Sequence, residues 1–245
     1  MENYTRYRPG YPREVVDLLR QRCGLTEGSE IADVGSGTGT LARPFLKTGN
    51  RVFGVEANPE MRRAGERLSR QHGRFTSVAA PAEDTTLPDG SVDLVTAGQA
   101  FHWFDPDPTR AEFARILQPG GCAVLVWNTP RREGRPVLVA YEELPQACGT
   151  DYREVYHGHR ASRESIRGFF RPGPFEEATF SNRQAFDFEG LRGRLLSSSY
   201  VPDEGEPGHP EVMEAARRLF EEHQVDGTVV LEYDTQVFFG PLAPT

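Results

Sequence analysis

Apolar positions along the chain follow two periods in alternation. Val15, Val16, Leu18, Leu19 and Cys23 make a helical stripe that Gly24 stops, with Pro12 where a first helical turn accepts proline. Glu30-Ile31-Ala32-Asp33-Val34 predicts a short strand, Leu41 to Thr48 a helix closed by Gly49-Asn50, and Arg51 to Glu56 a second strand. Asn58-Pro59-Glu60 is a helix start, an Asn cap followed by proline in the first turn, and this helix is predicted to run to about His72. Arg74 to Ala79, Val92 to Ala97 and Cys122 to Trp127 predict three more strands. A helix capped by Asp107-Pro108 and ending near Leu117, before Pro119-Gly120-Gly121, lies between the last two. The strands are nearly continuous Val, Ile, Leu and Ala runs, as suits strands buried on both faces. Strands separated by helix-length segments predict a parallel sheet built from βαβ units.

The alternation fails at both ends. Tyr4 to Pro12 is too rich in proline and glycine to predict regular structure. After Asn128 come short helical patches, with a helix start at Ser162-Arg163-Glu164-Ser165; then strands at Ala178 to Phe186 and Thr228 to Phe239 flank a helix near Val212 to Glu222. The phrase Leu195 to Pro202 lies between these strands and reads as a helix end and turn. The expected fold is α/β: a doubly wound, mostly parallel seven-stranded sheet with an antiparallel C-terminal strand and a helical lid. The expected organisation is a single domain over 1–245. It comprises an N-terminal arm and helix (1–24), a cofactor-binding core (25–129), a lid (130–177) and C-terminal strands with a helix (178–245).

Composition narrows the classes. A chain of 245 residues can bury about 70% of its unfolded surface, enough for a core without staples. Apolar runs are too short for a transmembrane helix, and the first residues lack the apolar stretch of a secretory signal. Cys23, Cys122 and Cys148 show no metal or redox spacing and no disulfide framework, and Cys122 reads as inert core. These features predict a cytoplasmic protein. The net charge is -8, from 28 basic and 36 acidic residues, which disfavours a dominant phosphate-binding face.

The most informative stretch is Asp33-Val34-Gly35-Ser36-Gly37-Thr38-Gly39. Glycines after a buried strand let backbone approach a ligand at the carboxyl end of the sheet. A dinucleotide fingerprint needs G-x-G-x-x-G, but Thr40 stands where its third glycine would fall, and the single lysine, Lys47, is displaced from any P-loop position. A second acid, Glu56, ends the next strand, where a carboxylate can accept both hydroxyls of a ribose. Two acids around a G-x-G-x-G turn suit a nucleoside without phosphates, and S-adenosylmethionine is such a ligand.

With Val55-Glu56-Ala57-Asn58-Pro59-Glu60-Met61, Ala82-Glu83-Asp84, Leu87 to Val95 and Leu117-Gln118-Pro119-Gly120-Gly121 in order, the chain resembles a class I S-adenosylmethionine-dependent methyltransferase of the type 11 group. Tyr7-Arg8-Pro9-Gly10-Tyr11-Pro12 and Gln99-Ala100-Phe101-His102-Trp103-Phe104-Asp105 are similar to the neighbourhood of trans-aconitate methyltransferase-like proteins, a label that identifies no substrate. The resemblance implies a cofactor site in which Gly35, Ser36 and Gly37 approach the methionine part and Asp33 orients the loop or receives the ammonium group. Glu56 would hold the ribose, Ala57 and Met61 the adenine face, Ala82 and Glu83 the adenine edge. Gln99 and Ala100 would face the sulfonium, and Tyr7 and Arg8 would fold over the cofactor, with Arg8 on its carboxylate or on the solvated surface.

Methyl transfer needs a positioned nucleophile and exclusion of water, plus a base when the acceptor is a hydroxyl or phenol. His102 is the candidate base; the alternative is a structural histidine packed with Trp103. Phe101, Trp103 and Phe104 make either an aromatic wall or plain core. His157 and His159 lack a third ligand at metal spacing, so no metal is expected. The Asp/Asn-Pro-Pro-aromatic motif of amino methyltransferases acting on adenine is absent after the fourth strand. Arg131, Arg132, Arg135, Tyr141, Tyr152, Tyr156 and Arg160 in the lid read equally as acid-recognising groups and as a solvated face. The expected function is methyl transfer from S-adenosylmethionine to an O, N or C atom of a small molecule, such as a carboxylic acid or a secondary metabolite, without nucleic-acid or membrane partners. The alternatives are a non-catalytic binder of the same cofactor, a NAD-dependent oxidoreductase and a methyltransferase acting on macromolecules. The oligomeric state stays open.

Overall fold

The structure, a computed structural model, describes residues 2–70, 72–144, 162–198 and 201–242. Helices α1 (Glu2–Tyr7) and α2 (Arg13–Arg22) lead into β1 (Glu30–Val34), α3 (Ala42–Lys47), β2 (Arg51–Val55), α4 (Pro59–Ser69) and β3 (Phe75–Val78). Next come β4 (Val92–Gly98), a 3-10 turn (Phe101–Trp103), α5 (Pro106–Ile116) and β5 (Leu117–Pro130). The remaining elements are α6 (Pro136–Glu143), α7 (Arg163–Phe170), β6 (Glu176–Phe186), α8 (Phe188–Leu195), α9 (His209–His223) and β7 (Val229–Gly240).

The seven strands form one sheet in the order β3-β2-β1-β4-β5-β7-β6. β1 pairs in parallel with both β2 and β4, β2 with β3, and β4 with β5; the C-terminal end of the sheet holds an antiparallel pair. The strand order reverses between β1 and β4, and at such a switch point the loops after the two strands diverge and leave a crevice at their carboxyl ends. The expected α/β architecture is the observed one.

Two compact units divide the described residues. One takes those within 10–128, 161–180 and 235–245; the other takes those within 1–9, 129–160 and 181–234. The lid segment 130–177 read from the sequence is therefore shared between the two. The first unit has a separate core on each face of its strands. Along β5, Cys122, Val124 and Val126 join Leu19, Ile31 and Phe45, whereas Ala123, Leu125 and Trp127 join Phe113, Ile116 and Phe169. This period of two explains why the strands read as unbroken apolar runs: both faces are covered. The second unit buries Leu138, Leu191, Leu195, Val212, Leu219 and Leu231 in a core of its own.

Several local expectations are corrected. The opening segment is helical through Tyr7, whose ring lies where a Cβ on Gly193 of α8 would stand, so a tertiary contact orders it. Helix α5 begins at Pro106, with Asp105 rather than Asp107 before the first turn; the Asp105 side chain makes no cap, and its backbone N–H donates to Glu83 Oε1 at 2.9 Å. β5 starts five residues early, at Leu117. Val92 pairs with Leu117 and Leu94 with Cys122, so the Gln118–Gly121 stretch bulges out of the ladder where Pro119 has no N–H to give and Gly120 takes φ +85°. Cys23 and Cys122, 99 positions apart, are joined by a disulfide, which reverses the readings of an unpaired set and of Cys122 as inert core. No local spacing signals a pair that the docking of α2 on β5 brings together.

Candidate functional site

β1 delivers the chain into a turn with φ of +65° at Gly35, +54° at Gly37 and +78° at Gly39. Gly35 is excluded from bearing a side chain by space as well as by conformation: a Cβ would stand 2.6 Å from Ala100 Cβ and 2.9 Å from Phe104 Cζ. The segment after β4 thus closes directly onto the glycine turn. Gly65 in α4 plays the same part on the other side, where a Cβ would lie 2.9 Å from Gly37 O. A lone glycine inside a helical pattern gave no such signal in the sequence.

Glu56 follows β2 and is fixed at both carboxylate oxygens. Gly37 N–H donates to Oε2 at 2.8 Å and Asn58 N–H donates to Oε1 at 2.8 Å. The Glu56 N–H donates to Val78 O, and Arg62 Nη1 donates to its carbonyl at 3.1 Å. Asn58 Oδ1 meanwhile accepts from the N–H groups of Glu60 and Met61 and starts α4 as the sequence predicts. Two of the roughly four lone-pair positions of the Glu56 carboxylate are used, so a diol can be accepted without breaking either bond. Met61 packs its Cε 3.3 Å from where a Gly37 Cβ would be, and Ala57 is exposed.

Asp33 lies beneath this turn and is 1% exposed. Its Oδ1 accepts from Thr96 Oγ1 at 3.0 Å across the β1–β4 pairing, while Oδ2 has no hydrogen-bond partner. Burial, with the Glu56 charge adding to it, pushes the Asp33 carboxyl up to about 7 against the opposing bond from Thr96 and the nearby Ala42 N–H dipole.

At the end of β4, Gln99 takes φ +54°, unusual for a side-chain-bearing residue. Its amide forms a reciprocal pair with the backbone of Asn128: Asn128 N–H donates to Oε1 at 3.2 Å and Nε2 donates to Asn128 O at 3.4 Å. Ala100 is buried against Gly35, and His102 sits in the 3-10 turn with its ring centroid 5.0 Å from that of Trp103. Phe101 is core, in edge contact with Trp127 and Phe169, whereas Trp103 is 71% exposed. Ala82 is buried, and Glu83 Oε1 accepts from the Asp105 N–H and from Thr109 Oγ1, which fixes the start of α5.

Twelve of the expected site residues therefore share one unit: Asp33, Gly35, Ser36, Gly37, Glu56, Ala57, Met61, Ala82, Glu83, Gln99, Ala100 and His102. Tyr7 and Arg8 belong to the other, where Arg8 Nη2 donates to Ser197 O at 2.9 Å and its guanidinium lies over the Tyr4 ring. In the same unit the lid arginines hold carboxylates of the chain itself: Arg131 pairs with Asp234, Arg132 with Glu142 and Arg135 with Glu232. Cys148, Tyr152, Tyr156, His157, His159, Arg160, Ser199 and Tyr200 lie outside the described residues. Among the described residues, no cluster of three or more His, Cys, Asp or Glu could hold a metal ion, and no helix is long and apolar enough to cross a membrane.

A family model described as a methyltransferase domain matches residues 32–125, which contain the glycine turn, Glu56, Glu83 and the Gln99–Phe104 segment. An uncharacterised methyltransferase of Schizosaccharomyces pombe is 32% identical over 222 residues, covering 89% of this chain and 85% of the relative. An uncharacterised methyltransferase of Mycobacterium tuberculosis is 38% identical over 148 residues, 60% of this chain and 56% of the relative, so the chain spans just over half the length of that protein. A solved structure assigned as a type II methyltransferase from Anaeromyxobacter dehalogenans is 25% identical, with a TM-score of 0.70 over 98% of this chain and 100% of the other. The fold is shared with geranyl diphosphate C-methyltransferase from Streptomyces coelicolor, solved with Mg2+, geranyl diphosphate and S-adenosyl-L-homocysteine. That protein is 16% identical, with a TM-score of 0.53 over 94% of this chain and 77% of that one. On the match along nearly its whole length to the fission-yeast relative, the chain belongs to the methyltransferase family.

Proposed function

We propose that the protein moves a methyl group from S-adenosylmethionine to an O, N or C atom of a small molecule. The observation that carries the reading is the Glu56 carboxylate, held on Gly37 N–H and Asn58 N–H with lone pairs to spare. An acceptor fixed in this way, beside a turn whose Gly35 has no room for a side chain, suits a ribose diol.

The residues fit the cofactor at a second point. Asp33 keeps one buried carboxylate oxygen without a protein partner beside the glycine turn, which suits a cationic amino-acid tail reached directly or through water. The cofactor supplies an activated methyl group when bound. The chain supplies the rest: Glu56 holds the nucleoside, Met61 and Ala82 flank the base, and Ala100 and Gln99 bound the reacting end. His102 is the group to take a proton when the acceptor is a hydroxyl or phenol. An acidic protein with 36 carboxylates against 28 basic groups favours a small acceptor over a nucleic acid.

Calorimetric titration of wild type and Glu56→Ala with S-adenosylmethionine and S-adenosylhomocysteine tests the reading. Micromolar-class binding, about -8 kcal/mol, that weakens sharply in the variant is the expected result. No heat with either ligand overturns it.

A further inference from the structure

Gly10, Asn128 and Thr235 come from three distant parts of the sequence. Each is the residue at which its segment enters or leaves the unit that holds the glycine turn. All three meet at one side chain. Asn128 Nδ2 donates to Gly10 O at 3.1 Å, and Thr235 Oγ1 donates to Asn128 Oδ1 at 2.6 Å. The Gly10 carbonyl can only accept, so the orientation of the amide follows from the bond itself. The backbone of the same residue forms the reciprocal pair with the Gln99 amide.

The neighbouring residue extends the contact. A Cβ on Gly98, the last residue of β4, would stand 2.6 Å from Tyr11 Oη and 3.0 Å from Leu41 Cδ2. The Gly10–Tyr11 stretch therefore rests on the end of β4, beside Leu41, two residues past the glycine turn. Gln99, which occupies a disfavoured backbone conformation there, leads directly into Ala100 and its contact with Gly35.

We propose that Asn128 is a positioning residue for the methyl-donor site, fastening the N-terminal segment through Gly10 while its backbone holds Gln99, and with it Ala100, against the glycine turn. Asparagine is suited to this because its side chain donates and accepts at once; an aspartate would turn a lone pair toward the Gly10 carbonyl, and a leucine would do neither. Thr235 sets the amide plane. The inference rests on the methyltransferase reading of the same site.

The test compares wild type, Asn128→Ala, Thr235→Val and Thr235→Ser by calorimetry with S-adenosylhomocysteine. Melting curves and amide exchange of segments 10–14 and 98–101 accompany it. Asn128→Ala is expected to weaken binding about tenfold, equivalent to about 1.4 kcal/mol, with faster exchange in both segments and a larger effect on KM than on kcat. Thr235→Val is expected to weaken binding about threefold, and Thr235→Ser, which restores the donor, to return it to within twofold of wild type. A folded Asn128→Ala protein with unchanged affinity overturns the proposal. So does equal loss in the valine and serine variants, and the Thr235 pair decides the matter where Asn128→Ala does not fold. Wild type that fails to bind overturns the methyltransferase reading instead; exchange then reports on the fastening by itself, and unchanged exchange at residues 10–14 overturns that as well.

Discussion

The backbone N–H of Gly37 donates to Oε2 of Glu56 over 2.8 Å, which ties the turn after β1 to the acid after β2. The two residues are neighbours because β1 and β2 run in parallel and in register, Val34 opposite Val55. Substituting Glu56 by Gln keeps the shape and replaces one acceptor by an NH2 group that faces a donor. Binding of S-adenosylhomocysteine is expected to fall by about 1.5–3 kcal/mol, the range for hydrogen bonds to a charged group. Isothermal calorimetry at constant pH reads this directly, and unchanged affinity would remove Glu56 from the site.

Asp33 has a consequence for stability against pH. Its carboxyl titrates near 7 in the fold against an ordinary value of 3.8, so the folded state holds a proton that the unfolded state has lost. The stabilisation this proton provides is fully present below about pH 4 and is lost as pH rises through about 7, a span on the order of 4 kcal/mol. Thermal melts of wild type should therefore decline between pH 4.5 and 7.5 more steeply than those of Asp33→Asn. Parallel curves for the two proteins would count against it.

Gly35→Ala should be among the most damaging single-methyl additions in the chain. It combines a left-handed φ of +65° with a Cβ 2.6 Å from that of Ala100. About 1 kcal/mol for the backbone and about 1–3 kcal/mol for overpacking predict a loss of about 2–4 kcal/mol in urea denaturation. Gly90→Ala, also at positive φ but with nothing within 4 Å of its Cβ, serves as the control and should lose only the backbone part.

His102 separates two classes of acceptor. If it removes a proton from a hydroxyl or phenol, His102→Gln lowers kcat by about a hundredfold or more, with cofactor affinity unchanged. With a carboxylate acceptor the same variant keeps its rate. Turnover with paired phenolic and carboxylic substrates distinguishes the two results.

Arg131 and Arg135 hold Asp234 and Glu232 within their own unit. Arg131→Gln is accordingly expected to cost stability, about 1 kcal/mol or less for a half-exposed pair, and to leave the acceptor KM unchanged. A rise in acceptor KM without a change in melting temperature would instead return Arg131 to substrate recognition.

Much of this site is legible along the chain because its parts are local. The turn from Gly35 to Gly39 needs glycine for its φ values, the Asn58-Pro59 pair starts α4, and Glu56 directly follows β2, whose apolar run marks it as buried. Each of these depends on residues within a few positions of one another, and backbone sterics, capping and burial impose the same residue types wherever such a turn occurs. Tertiary structure alone decided the rest. Asn128 meets Gly10 and Thr235, Cys23 meets Cys122, Gly65 lies under Gly37, and Arg131 and Arg135 find acids about a hundred residues away. Such partners have no fixed spacing, since any loop length that closes will do; it is the register of the sheet and the docking of helices on its two faces that bring them within bonding distance.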